Sequence, residues 1–260
     1  MSLSPADAHT GTALSEQRTG RQQKDNLCGP FHAARVLWDA GVTEFEGEPL
    51  DQDLVASRAG TVLPVRELGP QVPPGAVSWH EYRYGLKLVE PEQTGTQPGP
   101  LARTIEELSR GRLTCVPLTG AWDGSTVERL VGEAPTNARL IANVRTAPLW
   151  GSRPPLEAVL AHLDGREVPD PPAPDWDVGH FVELVQVVRG RGGSFVVVHD
   201  TYPSLGWGGH HLQPPHALAH ALIRDDGRGG GVLAVTEPDG ADAVMALAGE
   251  LALKIEFWTN

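Results

Sequence analysis

The sequence predicts an α+β fold. An amphipathic helix stands near the start, the clearest strand signals come late, and two of those strands are joined by a glycine-rich loop. Helix first and hairpin strands afterwards favour segregated layers over alternating βαβ units.

Taken in order, residues 1–20 are rich in Ser, Thr, Ala and Gly with few large apolar groups, and they read as a mobile tail. Residues 21–260 then form a single domain. Over 27–40, Leu27, Phe31, Ala34 and Trp38 fall at i, i+4, i+7 and i+11, one apolar stripe of a helix. Pro30 is tolerated in the first turn and Gly41 supplies the stop. Residues 42–100 read as a loop-rich insertion, with short helices expected over 50–58 and 78–85. A helix over 103–110, a strand over 113–118, a helix over 125–132 and a buried strand over 140–144 follow. Residues 147–178 are a second, proline-rich insertion broken by one helix over 155–163. Strands are expected over 180–188, 194–200 and 231–236, and helices over 215–223 and 241–249.

Charge narrows the partners. Thirty-three acidic against 21 basic residues leave −12, which argues against nucleic acid or an anionic membrane, since both call for a basic face. No apolar run reaches the length of a membrane span, and the first residues hold no apolar core of a secretory signal. Two cysteines, Cys28 and Cys115, make no disulfide framework. The expected location is the cytoplasm.

Cys28 carries the chemical argument. It opens the first helix, where free N–H groups and the helix dipole favour a thiolate. Cys115, inside an apolar strand, reads as a small hydrophobe. A cysteine nucleophile needs a base, and the base needs an acceptor to orient it. His180, at the entry to a strand, suits the first role. If residues 189–193 form a five-residue loop, Val182 faces Asp200, and His180 and Asp200 become diagonal neighbours on one sheet face. An even-length loop would put them on opposite faces.

Gln22-Gln23-Lys24-Asp25-Asn26-Leu27-Cys28-Gly29-Pro30, then Gly179-His180-Phe181-Val182, then His199-Asp200 with Pro203 and Gly206 resemble papain-like cysteine peptidases of the bacteriocin-processing, double-glycine-leader type. The resemblance implies a papain-like α+β fold, with an N-terminal helix carrying the cysteine against an antiparallel sheet carrying the histidine and aspartate. It implies Cys28 as nucleophile, His180 as base, Asp200 as acceptor and Gln22 as oxyanion donor. The family usually places proline directly after the aspartate, whereas here Thr201-Tyr202 intervene.

The expected partner is a peptide or an acyl group on a carrier, with no cofactor. Three function classes fit: a cysteine peptidase cleaving a leader or small peptide, an acyl or amide transferase of natural-product biosynthesis, and a silent binding module. Among the remaining histidines, His216 and His220 stand at i, i+4 but lack the glutamate of a zinc peptidase, so no metal is expected. Loops 147–178 and 201–214 are the expected lids, with Trp150, Trp176, Trp207, His210 and His211 shaping the cleft. Asp170, Asp175 and Asp177 before His180 predict a neutral or basic substrate.

Overall fold

A computed structural model of the chain describes residues 22–66, 72–224 and 226–259; the expected 1–20 tail lies outside them. The first half runs α1 (Cys28–Asp39), β1 (Glu44–Phe45), β2 (Glu48–Pro49), α2 (Gln52–Arg58), β3 (Val62–Pro64), β4 (Lys87–Val89) and α3 (Pro98–Leu108). Then come β5 (Thr114–Thr119), α4 (Gly124–Glu133), β6 (Arg139–Arg145) and α5 (Leu156–Leu163). The last stretch is β7 (Gly179–Arg189), β8 (Ser194–His199), β9 (His210–Gln213), α6 (Pro215–Ile223), β10 (Gly231–Thr236), α7 (Pro238–Glu250) and β11 (Lys254–Ile255).

Seven strands form one antiparallel sheet in the order β11-β5-β10-β6-β7-β8-β9. Both faces are covered, and the period-two alternation of the strands supplies two cores. Leu140, Ala142 and Val144 of β6, with Val232 and Ala234 of β10, pack beneath α4, α6 and α7. Ile141 and Phe181, with Leu233 and Val235, pack beneath α1, α2 and α3 on the other face. The expected α+β class holds, as a sheet between two helical layers.

The apolar stripe of α1 explains its seat. Phe31 and Ala34 are buried, and fully burying a Phe-sized side chain stabilises by about 1.5–3 kcal/mol. α3 begins five residues before its expected start, because Pro98 takes the first helical position after the extended Gln97.

The β7–β8 hairpin departs from the expected register and then returns to it. Arg189 pairs with Ser194, so the loop holds four residues, an even number. A bulge between Leu184 and Gln186 inserts one residue into β7 and reverses the slip, so that Glu183 pairs with His199. His180 and Asp200 therefore still meet. The glycines of this loop serve close approach as much as turning: a Cβ on Gly193 would lie 2.1 Å from the carbonyl oxygen of His162, at the end of α5.

Residues 78–85 form no helix. They lie against the segment before Cys28, where Asp25 takes up their polar groups: Trp79 N–H donates to Asp25 Oδ1 (3.1 Å), Asp25 N–H to the Trp79 carbonyl (3.0 Å) and Tyr82 Oη to the Asp25 carbonyl (2.9 Å). No helix among the described residues is long and apolar enough to cross a membrane.

Candidate active site

Cys28 is the first residue of α1, placed there by Asn26 in the left-handed region (φ 63°) and Leu27 in a turn conformation. The segment before it is held from several sides. Lys24 Nζ pairs with Asp53 at 2.5 Å, and Gln23 N–H donates to the Thr201 carbonyl at 3.2 Å. No side chain caps the helix, so its first N–H groups remain for the sulfur. Gly29 lets α1 approach β7, since a Cβ there would meet the Phe181 ring at 3.2 Å.

Burial alone would raise the Cys28 thiol. The hydrogen bond and charge of His180, with the N–H groups of Phe181 and Gly29, outweigh it and bring the pKa below its ordinary value. Burial would likewise lower His180, but the Asp200 carboxylate and the Cys28 sulfur push it up to about 10. Asp200, buried yet facing His180 and His211, is held well below the usual carboxylate range. These three shifts favour an imidazolium between two anions.

His180 Nε2 donates to Asp200 Oδ1 at 3.1 Å, which leaves Nδ1 as the nitrogen available to sulfur. Asp200 Oδ1 also accepts from the Tyr202 N–H at 3.1 Å, and His211 Nε2 stands 3.8 Å from Oδ2. Thr201 Oγ1 donates to Gln23 Oε1 (2.7 Å) and lies 3.4 Å from His180 Nε2. Tyr202 stacks on the imidazole at 22° and Trp176 meets it edge-on, 5.1 Å between centroids. Thr201 and Tyr202, which directly follow Asp200, thus wrap the His180 imidazole.

Cys28 and His180 open on a cleft of about 640 Å³. Its walls differ in part from the expected ones, with Asp177 and Val178 the contribution of the expected 147–178 lid. They come from residues 91–96 of the first insertion, from Asn143 and Arg145 at the end of β6, from Asp177, and from Arg224, Asp226 and Arg228 beyond α6. Trp176, Trp207 and His210 do not line it. Trp207 is 62% exposed in the loop after Asp200, and His210, drawn to the neighbouring strand β8, stacks on His199 at 4.4 Å. Trp150 is buried with His162 and Phe195 and lines a separate cavity of about 460 Å³. Gln22 Nε2 donates one hydrogen bond to the Val77 carbonyl, while Gln23 is the buried member of the pair.

Cys115, half-buried like Cys28, differs in its electrostatic surroundings. Burial pushes its thiol far up, Glu106 adds to that, and its sulfur faces the Ala102 carbonyl at 3.7 Å.

Among the described residues, one histidine–carboxylate group has metal-ligand spacing: atoms of His32, Glu183 and His199 within 4.8 Å of one another. Arg35 lies 2.7 and 2.5 Å from the ring nitrogens of His199, and Arg139 pairs with Glu183. Two guanidiniums at the donor set disfavour a further cation there.

Fold and site together define an α+β protein with a cysteine and a histidine lining one cleft and an aspartate buried behind the histidine. Residues 9–259 match a family of unknown function, DUF6885, and the chain belongs to that family. No curated protein and no solved structure matches the chain.

Proposed function

We propose that the protein is a papain-like cysteine hydrolase that cleaves an amide bond in a peptide. The observation that carries this reading is the coupling of Cys28, at a helix N-terminus, to an imidazole that Asp200 orients, with both reacting groups on one cleft. The Cys28 thiolate attacks the scissile carbonyl carbon and forms a tetrahedral oxyanion. The Cys28 N–H stabilises that charge, joined by the second amide hydrogen of Gln22, the first being engaged by Val77. His180 gives its proton to the leaving amine, and an acyl-enzyme remains. Water then attacks the thioester, passing a proton to His180, and Cys28 leaves as thiolate. The placement of the reaction in the cytoplasm belongs to the same proposal.

The test is intact-mass analysis of the full chain after incubation with a peptide library and with acyl thioesters. An adduct on Cys28 followed by release of free acid supports hydrolysis; release only as an amide of an added amine converts the assignment to a transferase. No adduct with any member, together with iodoacetamide labelling of Cys28 no faster than of Cys115 below neutral pH, overturns the reading.

A further inference from the structure

The cleft wall beyond the reacting pair carries three guanidiniums, Arg145, Arg224 and Arg228, and three carboxylates, Glu92, Asp177 and Asp226, and it is the guanidiniums that are the more enclosed set. Arg224 has no exposed side-chain surface and forks onto Asp226, Nε to Oδ1 at 3.1 Å and Nη2 to Oδ2 at 2.5 Å, while Nη1 donates to Asn143 Oδ1. Arg145, with 26% of its side chain exposed, shares Asp226 at 3.5 Å and pairs with Asp177. Arg228 is half-buried and donates to the backbone carbonyl of Glu92, whose own side chain is exposed. Asp177 is 54% exposed against 20% for Asp226. Three guanidiniums thus line the cleft, and Asp226 is the one carboxylate comparably enclosed.

This wall is held in place at a cost. Arg224 has φ 56° and ψ 131°, a conformation that costs a non-glycine residue about 1–3 kcal/mol and persists only where surroundings impose it. Its guanidinium lies against Gly179, where a Cβ would come within 2.9 Å of Nη2, so the strained residue abuts the backbone of the residue before His180. The chain's charge of −12 repels anions, but screening damps that effect beyond about 8 Å. Inside the cleft the local guanidiniums decide.

We propose that this end of the cleft is a carboxylate subsite: the substrate presents a carboxylate close to the bond that Cys28 attacks. This deepens the proposed function and rests on it, and it reverses the neutral or basic substrate expected from Asp170, Asp175 and Asp177. The carboxylate is either a peptide's free C-terminus or an acidic side chain.

The experiment measures alkylation of Cys28 by iodoacetate and by iodoacetamide in the full chain, and takes the ratio of the two rate constants. That ratio cancels any general change in thiol reactivity. Arg228→Gln and Arg145→Gln should each lower it about threefold, and either variant suffices if the other fails to fold. On the unaltered protein, peptides paired as acid and amide at the C-terminus, and as Glu and Gln internally, then compete against iodoacetamide. The pair whose acid protects Cys28 better than its neutral twin identifies the source. An unchanged ratio in a folded variant, or no acid protecting better than its twin, overturns the subsite while leaving Cys28 reactive. A Cys28 no more reactive than Cys115 overturns the proposed function and the subsite with it.

Discussion

Two histidine–carboxylate clusters sit side by side on the same three elements. One draws Cys28 from α1, His180 from β7 and Asp200 from the end of β8. The other draws His32 and Arg35 from α1, Glu183 from β7 and His199 from β8. The first is open to a cleft and sets one imidazole between two groups that bear negative charge. The second is sealed, 4% exposed or less at each of its four residues, and its carboxylate and the His199 imidazole are taken up by guanidiniums. Similar side chains a turn apart along one helix thus differ in solvent access and in neighbouring charge. Those two variables separate a site fit to react from one fit to brace.

The largest effect should come from removing the acceptor of the open cluster. Asp200→Asn keeps the shape but loses the charge that raises His180, so turnover should fall about 10⁴-fold. The pH profile carries the sharper signature. His180 is raised, so its imidazolium persists below about 10 and is lost as pH climbs through that value. The thiolate forms above the lowered pKa of Cys28, and the proposed activity should occupy the window between them. Asp200→Asn should draw the alkaline edge down toward an ordinary histidine value near 6.5. An unmoved alkaline edge would show that Asp200 does not tune His180.

Next in size is a loss of stability in the sealed cluster. Glu183 would be raised by burial, but the His199 hydrogen bond and the charge of Arg139 hold it well below its ordinary range. A depressed carboxylate contributes stability above its unfolded pKa of about 4.3, and that contribution fades as pH falls. Glu183→Gln leaves Arg139 with Asp39 as its remaining anion and Arg35 with none of this cluster. Breaking such a buried pair should cost about 3–5 kcal/mol in denaturant unfolding at neutral pH, and less under acid. If turnover collapses while the unfolding midpoint stays put, the bracing assignment is wrong and the two clusters act as one.

Sequence reading went far with what is local and stopped at what is distant. The helix behind Cys28 was legible because its apolar stripe has one period, and β10 because a continuous apolar run needs no partner to be recognised. The meeting of His180 and Asp200 was reached through an odd loop, whereas the chain uses an even loop and a bulge; nothing in Val185 announces that bulge. The cleft wall was missed because Glu92, Arg145 and Arg228 come from three separate segments that only the fold assembles. Residues 78–85 suggested a helix, yet Asp25, more than fifty positions away, claims their backbone. The sealed cluster did leave a signal: Cys28, His32, Arg35 and Asp39 stand at i, i+4, i+7 and i+11, a polar stripe one residue out of phase with the apolar one.

The smallest effect tests the sealed cluster from its idle member. His32 is 1% exposed, and neither ring nitrogen has a hydrogen-bond partner among the described residues. Burial, with His199 and Arg35 nearby, lowers its pKa well below the ordinary value, so the ring is neutral at pH 7. A buried donor and acceptor left unmet cost about 1–3 kcal/mol. Leucine is close in volume and asks for no partner, though it forfeits the edge contacts of His32 with Phe31 and His199. His32→Leu should therefore raise stability by about 1 kcal/mol, with alkylation of Cys28 unchanged. A loss of stability instead would mean that the ring nitrogens are in use, and the same unfolding measurement repeated with added zinc would identify the user. Stabilisation by zinc of the parent protein but not of His32→Leu would turn the brace into a metal site, and the contrast between the two clusters would then have to be drawn from their ligands.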